Sequence, residues 1–457
     1  MNSLMIAAIL LVLLGLAYQV GWSRSRALAT SGGGRFHSRF HYHGALVAIW
    51  AVAPAALILG LWALFGQTVS ASYVQSLLPV ELVSAGGNPL ATAISRVRAL
   101  ASGYGVAGEV ADYEAAAADA LARFQLIVTL IVVGSAAACG ILALLFARRR
   151  ITPRLRARNQ VERAITLLLV ACSAIAILTT VGIVASLVSE AIRFFTFVNP
   201  LDFFFGTVWN PVFSSTGGGS GRYGLLPLLW GTTMIAIIAM LVALPIGLMT
   251  AIYLNQYAPR GVRAVVKPIV EILAGIPTIV YGFFALTTVG PFLSGFGAMI
   301  GLDIRGTSAL TAGLVMGIMI IPFISSLSDD ILSQVPTSLR DGSYGLGATQ
   351  SETIRRVLLP AALPGIVGAF LLAVSRAIGE TMIVVLAAGN SPVLRANPLE
   401  PTSTVTVSIV NQLTGDTDFT GPQSLVAFAL GLTLFVITLC LNVVALYIVR
   451  RFREQYD

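Results

Sequence analysis

Nine apolar runs of the length a helix needs to cross a bilayer divide this 457-residue chain; such a crossing takes roughly 20 mostly apolar residues. They fall at about Ser3–Trp22, Gly44–Gly66, Phe124–Ala147, Ala164–Ser189, Leu228–Leu254, Val265–Leu293, Ser308–Asp330, Pro364–Gly389 and Gln423–Val449. In hydrocarbon every backbone N–H and C=O must be paired within the protein, so segments of this kind fold as helices. The expectation is an all-α integral membrane protein with about nine transmembrane helices. Composition agrees, since only 11% of the residues are charged and mean hydropathy is +0.87. A soluble domain carries about 25% charged residues.

The remaining charge is sorted by loop. The formal net charge of +8 comes almost wholly from arginine, and Lys267 is the sole lysine. Basic residues sit between apolar runs rather than along one helix face, which argues against nucleic-acid binding. With alternating spans and the N-terminus outside, most of the 28 Lys and Arg fall in loops around 23–43, 148–163, 255–267, 331–363 and 450–457. Such loops face the cytosol, which puts the C-terminus there too. The first run has no positive residue ahead of it and is followed by Arg24, Arg26, Arg35 and Arg39. An uncleaved anchor is therefore expected rather than a removed signal peptide.

Several chemistries are excluded by residue type. A P-loop needs Gly-Lys-Ser/Thr to cradle phosphates, and Lys267 stands between Val266 and Pro268. The spans hold no GxSxG or HExxH pattern, so no catalytic residue is expected. Cys139, Cys172 and Cys440 lie singly in apolar runs and read as small buried or lipid-facing residues. His37, His41 and His43 share a basic loop without a Cys or carboxylate to complete a metal site. No metal and no cofactor are expected.

The stretch from Asp341 to Thr381 constrains function most. Its polar half lies between Pro336 and Pro360. Asp341, Tyr344 and Leu346 fall on a first short helix, and Gly345 and Gly347 permit a sharp turn. Thr349 to Leu358 form a second helix, opened by a Thr349/Glu352 capping box and ended by Pro360. Helices this short are marginal alone, so the pair reads as a rigid knob that needs a docking partner.

The apolar half carries Arg376 and Glu380. A lone charge at mid-bilayer costs ~2.5–3.5 kcal/mol on insertion scales. Four residues apart on a helix, the two share a face and can partly neutralise each other. One reading is a structural salt bridge. The other is a pathway for a tetrahedral oxyanion, because guanidinium offers paired donors that match phosphate oxygens. Glu380 then softens the attraction so that the anion can leave, and accepts a hydrogen bond from hydrogenphosphate.

Further along the spans, Gly275-Ile276-Pro277 interrupts the sixth run, which is tolerated only where protein or water satisfies the freed groups. Glu271, just before it, reads equally as an interfacial carboxylate paired with an arginine or as a pathway residue. Asp329 and Asp330 end the seventh run and read as solvated capping residues. Within the segment from Gln67 to Arg123, Val110–Arg123 is expected to be an amphipathic helix and the remainder loosely structured. The aromatic stretch after Ala191 suggests an interfacial helix, and Gly217-Gly218-Gly219-Ser220-Gly221 a flexible turn.

The spacing Asp341-Gly342-Ser343-x-x-x-Gly347, nine residues, then Val357-x-Leu359-Pro360 resembles the "EAA" coupling loop of ABC-importer permeases. Arg376-Ala-x-Gly-Glu380-Thr381, Glu271-x-Leu-Ala-Gly-Ile-Pro277-Thr and FFFGTVWNP followed by YGLLPLLWGT are similar to the PstC-type phosphate permeases. The resemblance covers about residues 160–457, a six-helix MetI-like type I importer core. Residues 1–159 form an extension with three further spans and an external segment at about 67–123. It implies a non-catalytic permease subunit of an ATP-driven phosphate importer in a bacterial inner membrane. The implied partners are a second, homologous permease of PstA type, a cytosolic ATPase dimer of PstB type and a periplasmic phosphate-binding protein of PstS type. The implied ATPase contact is made by Asp341, Gly342, Ser343, Tyr344, Gly347, Val357, Leu359 and Pro360. The implied pathway residues are Arg376, Glu380 and Thr381, with Glu271 and Pro277 secondary. The family usually has Glu-Ala-Ala where this chain has Asp341-Gly342-Ser343, which weakens helical propensity by ~1 kcal/mol. A permease for sulfate, molybdate or phosphonate, or an ion-driven transporter, is the alternative.

Overall fold

The computed structural model describes residues 3–30, 37–80, 82, 87–103, 105–106, 110–211, 221–415 and 421–452. Residues 217–220 of the glycine run lie outside them. Eight described helices are long and apolar enough to cross a membrane: Phe40–Leu77, Asp112–Arg149, Ala157–Phe197, Leu226–Tyr257, Thr278–Met299, Ala309–Gln334, Gln350–Ile378 and Pro422–Arg451. The first apolar run is helical as well, within α1 (Ser3–Thr30), a helix outside that set of eight. Two compact units divide the chain, Met1–Ile177 and Leu178–Asp457.

In the first unit α1 packs with α2 (Phe40–Leu77) and α4 (Asp112–Arg149). Small residues let the helices approach, with Ala17, Val47, Ala48, Ala51 and Ala147 buried together. Both α2 and α4 have 38 residues, about 57 Å at ~1.5 Å per residue. A bilayer core is ~30 Å thick, so these helices extend well past it. α3 (Gly87–Ala101) packs on their ends through Val74, Leu78, Ala93, Val97, Ala117 and Leu121. Tyr73 stacks on Phe124 at 4.1 Å, and Arg96 holds the buried Glu114 through two hydrogen bonds of 2.8 and 3.0 Å. The described residues of the segment expected to be loosely structured, from Gln67 to Val110, are thus largely helical. Its apolar residues share a small core that only the packing of α2, α3 and α4 assembles.

The second unit takes in the end of α5 (Ala157–Phe197) and then α6 (Pro200–Phe205), β1 (Trp209–Asn210) and β2 (Arg222–Tyr223). The strands pair antiparallel. Here the aromatic stretch divides. Phe194, Phe203, Trp209 and Tyr223 are buried together with Leu225 and Leu228, while Phe197 and Phe205 remain exposed. At the centre stand α7 (Leu226–Ile252) and α11 (Ala309–Gln334). A Cβ on Gly313 would lie 2.6 Å from Ile238, and one on Gly317 2.9 Å from Val242. This small-xxx-small contact lets two helices meet backbone to side chain, a recurring device in lipid.

The sixth span differs from expectation. α8 (Arg260–Ala274) is a separate helix that buries none of its side chains. The crossing segment begins only at α9 (Thr278–Phe284) and continues through a π-turn at Ala285–Val289 into α10 (Gly290–Met299). Pro277 is therefore the cap of a span rather than a break inside one, and Glu271 lies outside the crossing helix. The reason is local: Pro277 has no N–H to continue the helix behind it. After α11 come α12 (Thr337–Gly345), α13 (Gln350–Thr353), a π-turn at Ile354–Leu358, α14 (Leu359–Ile378), α15 (Met382–Ala387), α16 (Val405–Gly415) and α17 (Pro422–Phe452).

Candidate functional site

The polar stretch between Pro336 and Pro360 folds as two short helices joined by a tight turn. α12 is preceded by Pro336, which stands at its N-cap, and it buries no residue. It carries Asp341, Gly342, Ser343 and Tyr344. The turn reverses at Gly347, with φ +84°, a conformation that glycine adopts without penalty. Gly345 stays helical. Leu346 is 92% exposed and Tyr344 40%, an unusual display of apolar surface on a polar loop.

The second helix opens with the expected capping box. Thr349 N–H and its hydroxyl both donate to Glu352, at 2.9 and 2.8 Å, and the Glu352 N–H returns to Thr349 Oγ1. Ser343 and Thr353 share a hydroxyl hydrogen bond of 2.9 Å that pins the two helices together. Ile354 and Leu358 are buried with Ala251, Ile252 and Leu332, so the second helix is anchored while the first projects. Val357 and Leu359 are half-buried on the same segment.

Pro360 does not end this helix, contrary to expectation. The chain runs on from Gln350 to Ile378. A π-turn at Ile354–Leu358 precedes the proline, and Leu359 N–H bonds the carbonyl of Ile354, five residues back. The wider turn leaves a place for a residue without an N–H, as π-bulges and first-turn prolines do.

Arg376 lies in the last turn of α14. Its Nη2 is 3.9 Å from Met319 Sδ and its guanidinium stands over the Phe323 ring at 5.6 Å. Both partners belong to α11. The salt bridge with Glu380, one of the two readings, is absent: among the described residues the two form no ion pair with each other. α14 stops at Ile378, and Gly379 caps it. The two residues therefore never share a helix face. Glu380 instead accepts the N–H of Met382 at 3.2 Å, at the start of α15, and its own carbonyl accepts from Thr406 Oγ1 at 2.9 Å. The Met382 N–H is one of the donors that the start of a helix leaves without an intrahelical partner, and the Glu380 carboxylate satisfies it. Thr381 is the residue that caps α15, and its hydroxyl reaches the Gly379 carbonyl at 3.4 Å.

Asp329 is the charged residue that reading along the chain misplaced. It is 2% exposed rather than solvated. Its carboxylate takes Arg263 Nη2 at 3.0 Å on both oxygens, Lys267 Nζ at 2.6 Å and Asn255 Nδ2 at 2.7 Å. The hydrogen bond to Asp329 holds the Lys267 ammonium above its ordinary pKa. The only hints in the sequence were the sole lysine and two carboxylates at the end of an apolar run. Glu271 lines a shallow pocket beside Arg260, Arg263 and Lys267, remote from Arg376 in sequence and in element.

Two family models cover most of this architecture. Residues 7–179 match the one described as a phosphate ATP-binding cassette transporter. Residues 243–454 match the one described as a binding-protein-dependent transport system inner membrane component. A probable ABC transporter permease protein of Bacillus subtilis is 35% identical over 274 residues, which is 60% of this chain and 85% of that protein. The phosphate transport system permease protein PstC of Mesorhizobium japonicum is 37% identical over 258 residues, 53% of this chain and 76% of that one. The chain belongs to the PstC-type ABC transporter permease family. It is a multi-pass membrane protein of the MetI-like class. A bacterial alginate ABC transporter, solved with its periplasmic protein, aligns over 66% of this permease and 99% of its own chain at 17% identity and TM-score 0.46.

Proposed function

We propose that this permease is a subunit of an ATP-driven importer of inorganic phosphate. A PstB-type ATPase dimer docks on residues 336–360, a PstA-type permease completes the pathway, and a PstS-type binding protein delivers the anion. The loop then lies in the cytosol, with the N-terminus outside, the C-terminus inside and residues 1–159 as an extension on the core at 160–457.

The placement of Arg376 carries the reading. A guanidinium at the end of an apolar helix, beside a thioether and a phenyl ring, keeps its paired donors for an incoming oxyanion. With Glu380 turned to the α15 backbone, nothing among the described residues neutralises it. Thr381 and Glu380 sit at the helix break beyond, where they can meet the anion as it leaves Arg376. Asp341, Gly342, Tyr344 and the bare Leu346 supply the docking face, and Ser343, Gly347, Val357, Leu359 and Pro360 hold its shape. Pro277 sets where the neighbouring span begins, and Glu271 belongs with the basic pocket of α8.

The test is phosphate uptake by the full complex in vesicles. Arg376→Ala should lower ATP-dependent uptake roughly tenfold or more, as expected for losing a charged hydrogen-bond donor. Wild-type rates from that variant, or uptake that persists without the ATPase, would end the proposal.

A further inference from the structure

α8 is held in place in an unusual way. None of its side chains is buried, and its apolar residues Val265, Ile269 and Ile272 are 53–68% exposed. Its polar tether is Arg263 and Lys267, both bound to the carboxylate of Asp329 on α11, with Lys267 also 3.7 Å from the exposed Asp330. Just past α8 comes the Gly275-Ile276-Pro277 break into the span Thr278–Met299. Across that break Tyr281 Oη donates to the Leu273 carbonyl at 2.8 Å, so a shift of α8 is passed to the span.

The same carboxylate is wired to the coupling loop. Asn255 donates to Asp329 and to Ser333 Oγ at 2.8 Å, and Gln256 donates to Asn255. The carbonyl of Gln256 accepts Gln350 Nε2 at 2.7 Å. Gln350 is the first residue of α13, directly behind the Thr349 cap. A relay therefore runs from the second coupling helix to the main-chain carbonyl of Gln256, and from the Gln256 side chain through Asn255 and Asp329 to Arg263 and Lys267. Leaving a buried carboxylate without its cations is costly, so this joint keeps its partners while the elements around it move.

We propose that Asp329 is a positioning residue that transmits displacement of the coupling loop to α8 and, through the Gly275–Pro277 break, to the span Thr278–Met299. This rests on reading residues 336–360 as the ATPase-facing loop. Asp329 touches no substrate. Its effect is on how nucleotide hydrolysis is converted into movement of the pathway helices.

The experiment measures phosphate uptake and ATP hydrolysis in the same vesicles carrying the full importer. Gln350→Ala cuts the link but spares the Asp329 cluster, and Arg263→Gln with Lys267→Gln frees α8. Gln350→Ala should lower phosphate carried per ATP by about fivefold, a factor in keeping with one lost hydrogen bond. The double variant, which strands the Asp329 carboxylate, should lower it further, while hydrolysis stays near wild type in both. Asp329→Asn should lower the same ratio, and Asp329→Glu, which keeps the charge, should retain part of the coupling. A proportional fall in both rates, or no change in their ratio, overturns the proposal. A second readout uses spin labels at Ile269 and Leu346, whose separation should change with nucleotide in the wild type and not in Gln350→Ala. If that shift is seen but the wild type carries no phosphate, the substrate assignment has failed and the joint stands. If the wild type shows no shift with nucleotide, the joint is refuted.

Discussion

Two glycines in the coupling loop receive the same perturbation with opposite expected sign. A Cβ added at Gly342 or at Gly347 meets nothing within 4 Å, so neither Gly342→Ala nor Gly347→Ala changes packing. Gly342 lies inside α12, where alanine is better than glycine by ~0.8–1 kcal/mol. Gly347 has φ +84°, where an L side chain costs ~1–2 kcal/mol. The two variants should therefore differ by about 2–3 kcal/mol, or roughly 30- to 150-fold in the population of the native turn. Hydrogen exchange over residues 337–358 in the assembled complex reads this directly: protection rises in Gly342→Ala and falls in Gly347→Ala. Uptake should follow the same order, because a displaced α12 no longer presents Tyr344 and Leu346 to the ATPase. Equal effects from the two variants would show that the turn is not held by backbone conformation, and the rigid-knob reasoning would be wrong.

Other expectations follow from single contacts. Gly317→Val forces a branched side chain against Val242 and should cost about 1–3 kcal/mol, as overpacking does, seen as a lower melting temperature of the detergent-purified protein. Arg96→Met strands the buried Glu114 carboxylate and should expose the α3 region to limited proteolysis. Adding Glu114→Leu should restore resistance, since an apolar pair replaces a buried ion pair at little cost. Glu400 accepts a hydrogen bond from Arg395, which lowers its pKa below the usual glutamate value. Its contribution is therefore present above the unfolded pKa and lost as pH falls through the folded one. Trp230 donates to the Arg395 carbonyl at 2.7 Å, so its fluorescence should change on acidification, and Glu400→Gln should abolish that transition.

Much of this was legible along the chain. Apolar run length announced the helices, because lipid forces each segment to satisfy its own backbone. The Thr349/Glu352 box and the turn at Gly347 were readable since caps and turns depend on residues a few positions apart. Proline was the less reliable signal. Pro360 looks like a stop, yet a π-turn five residues long carries the helix through it. Pro277 looks like a kink within a span, yet it begins one.

Arg376 and Glu380 show where sequence reasoning fails. Four-residue spacing implies a shared face only if the helix continues, and Gly379 with the start of α15 ended it. Asp329 is the deeper case, for its partners are 62, 66 and 74 residues away.

The order of residues by itself determined that this chain crosses a bilayer many times and presents a two-helix polar knob between two of those crossings. Both follow from interactions within one segment. The tertiary structure alone decided which charges meet: a carboxylate at the end of α11 is buried by cations from α8, and an arginine is left beside sulfur and an aromatic ring. Such pairings depend on which helices pack, and desolvation makes them obligatory only once the packing has excluded water.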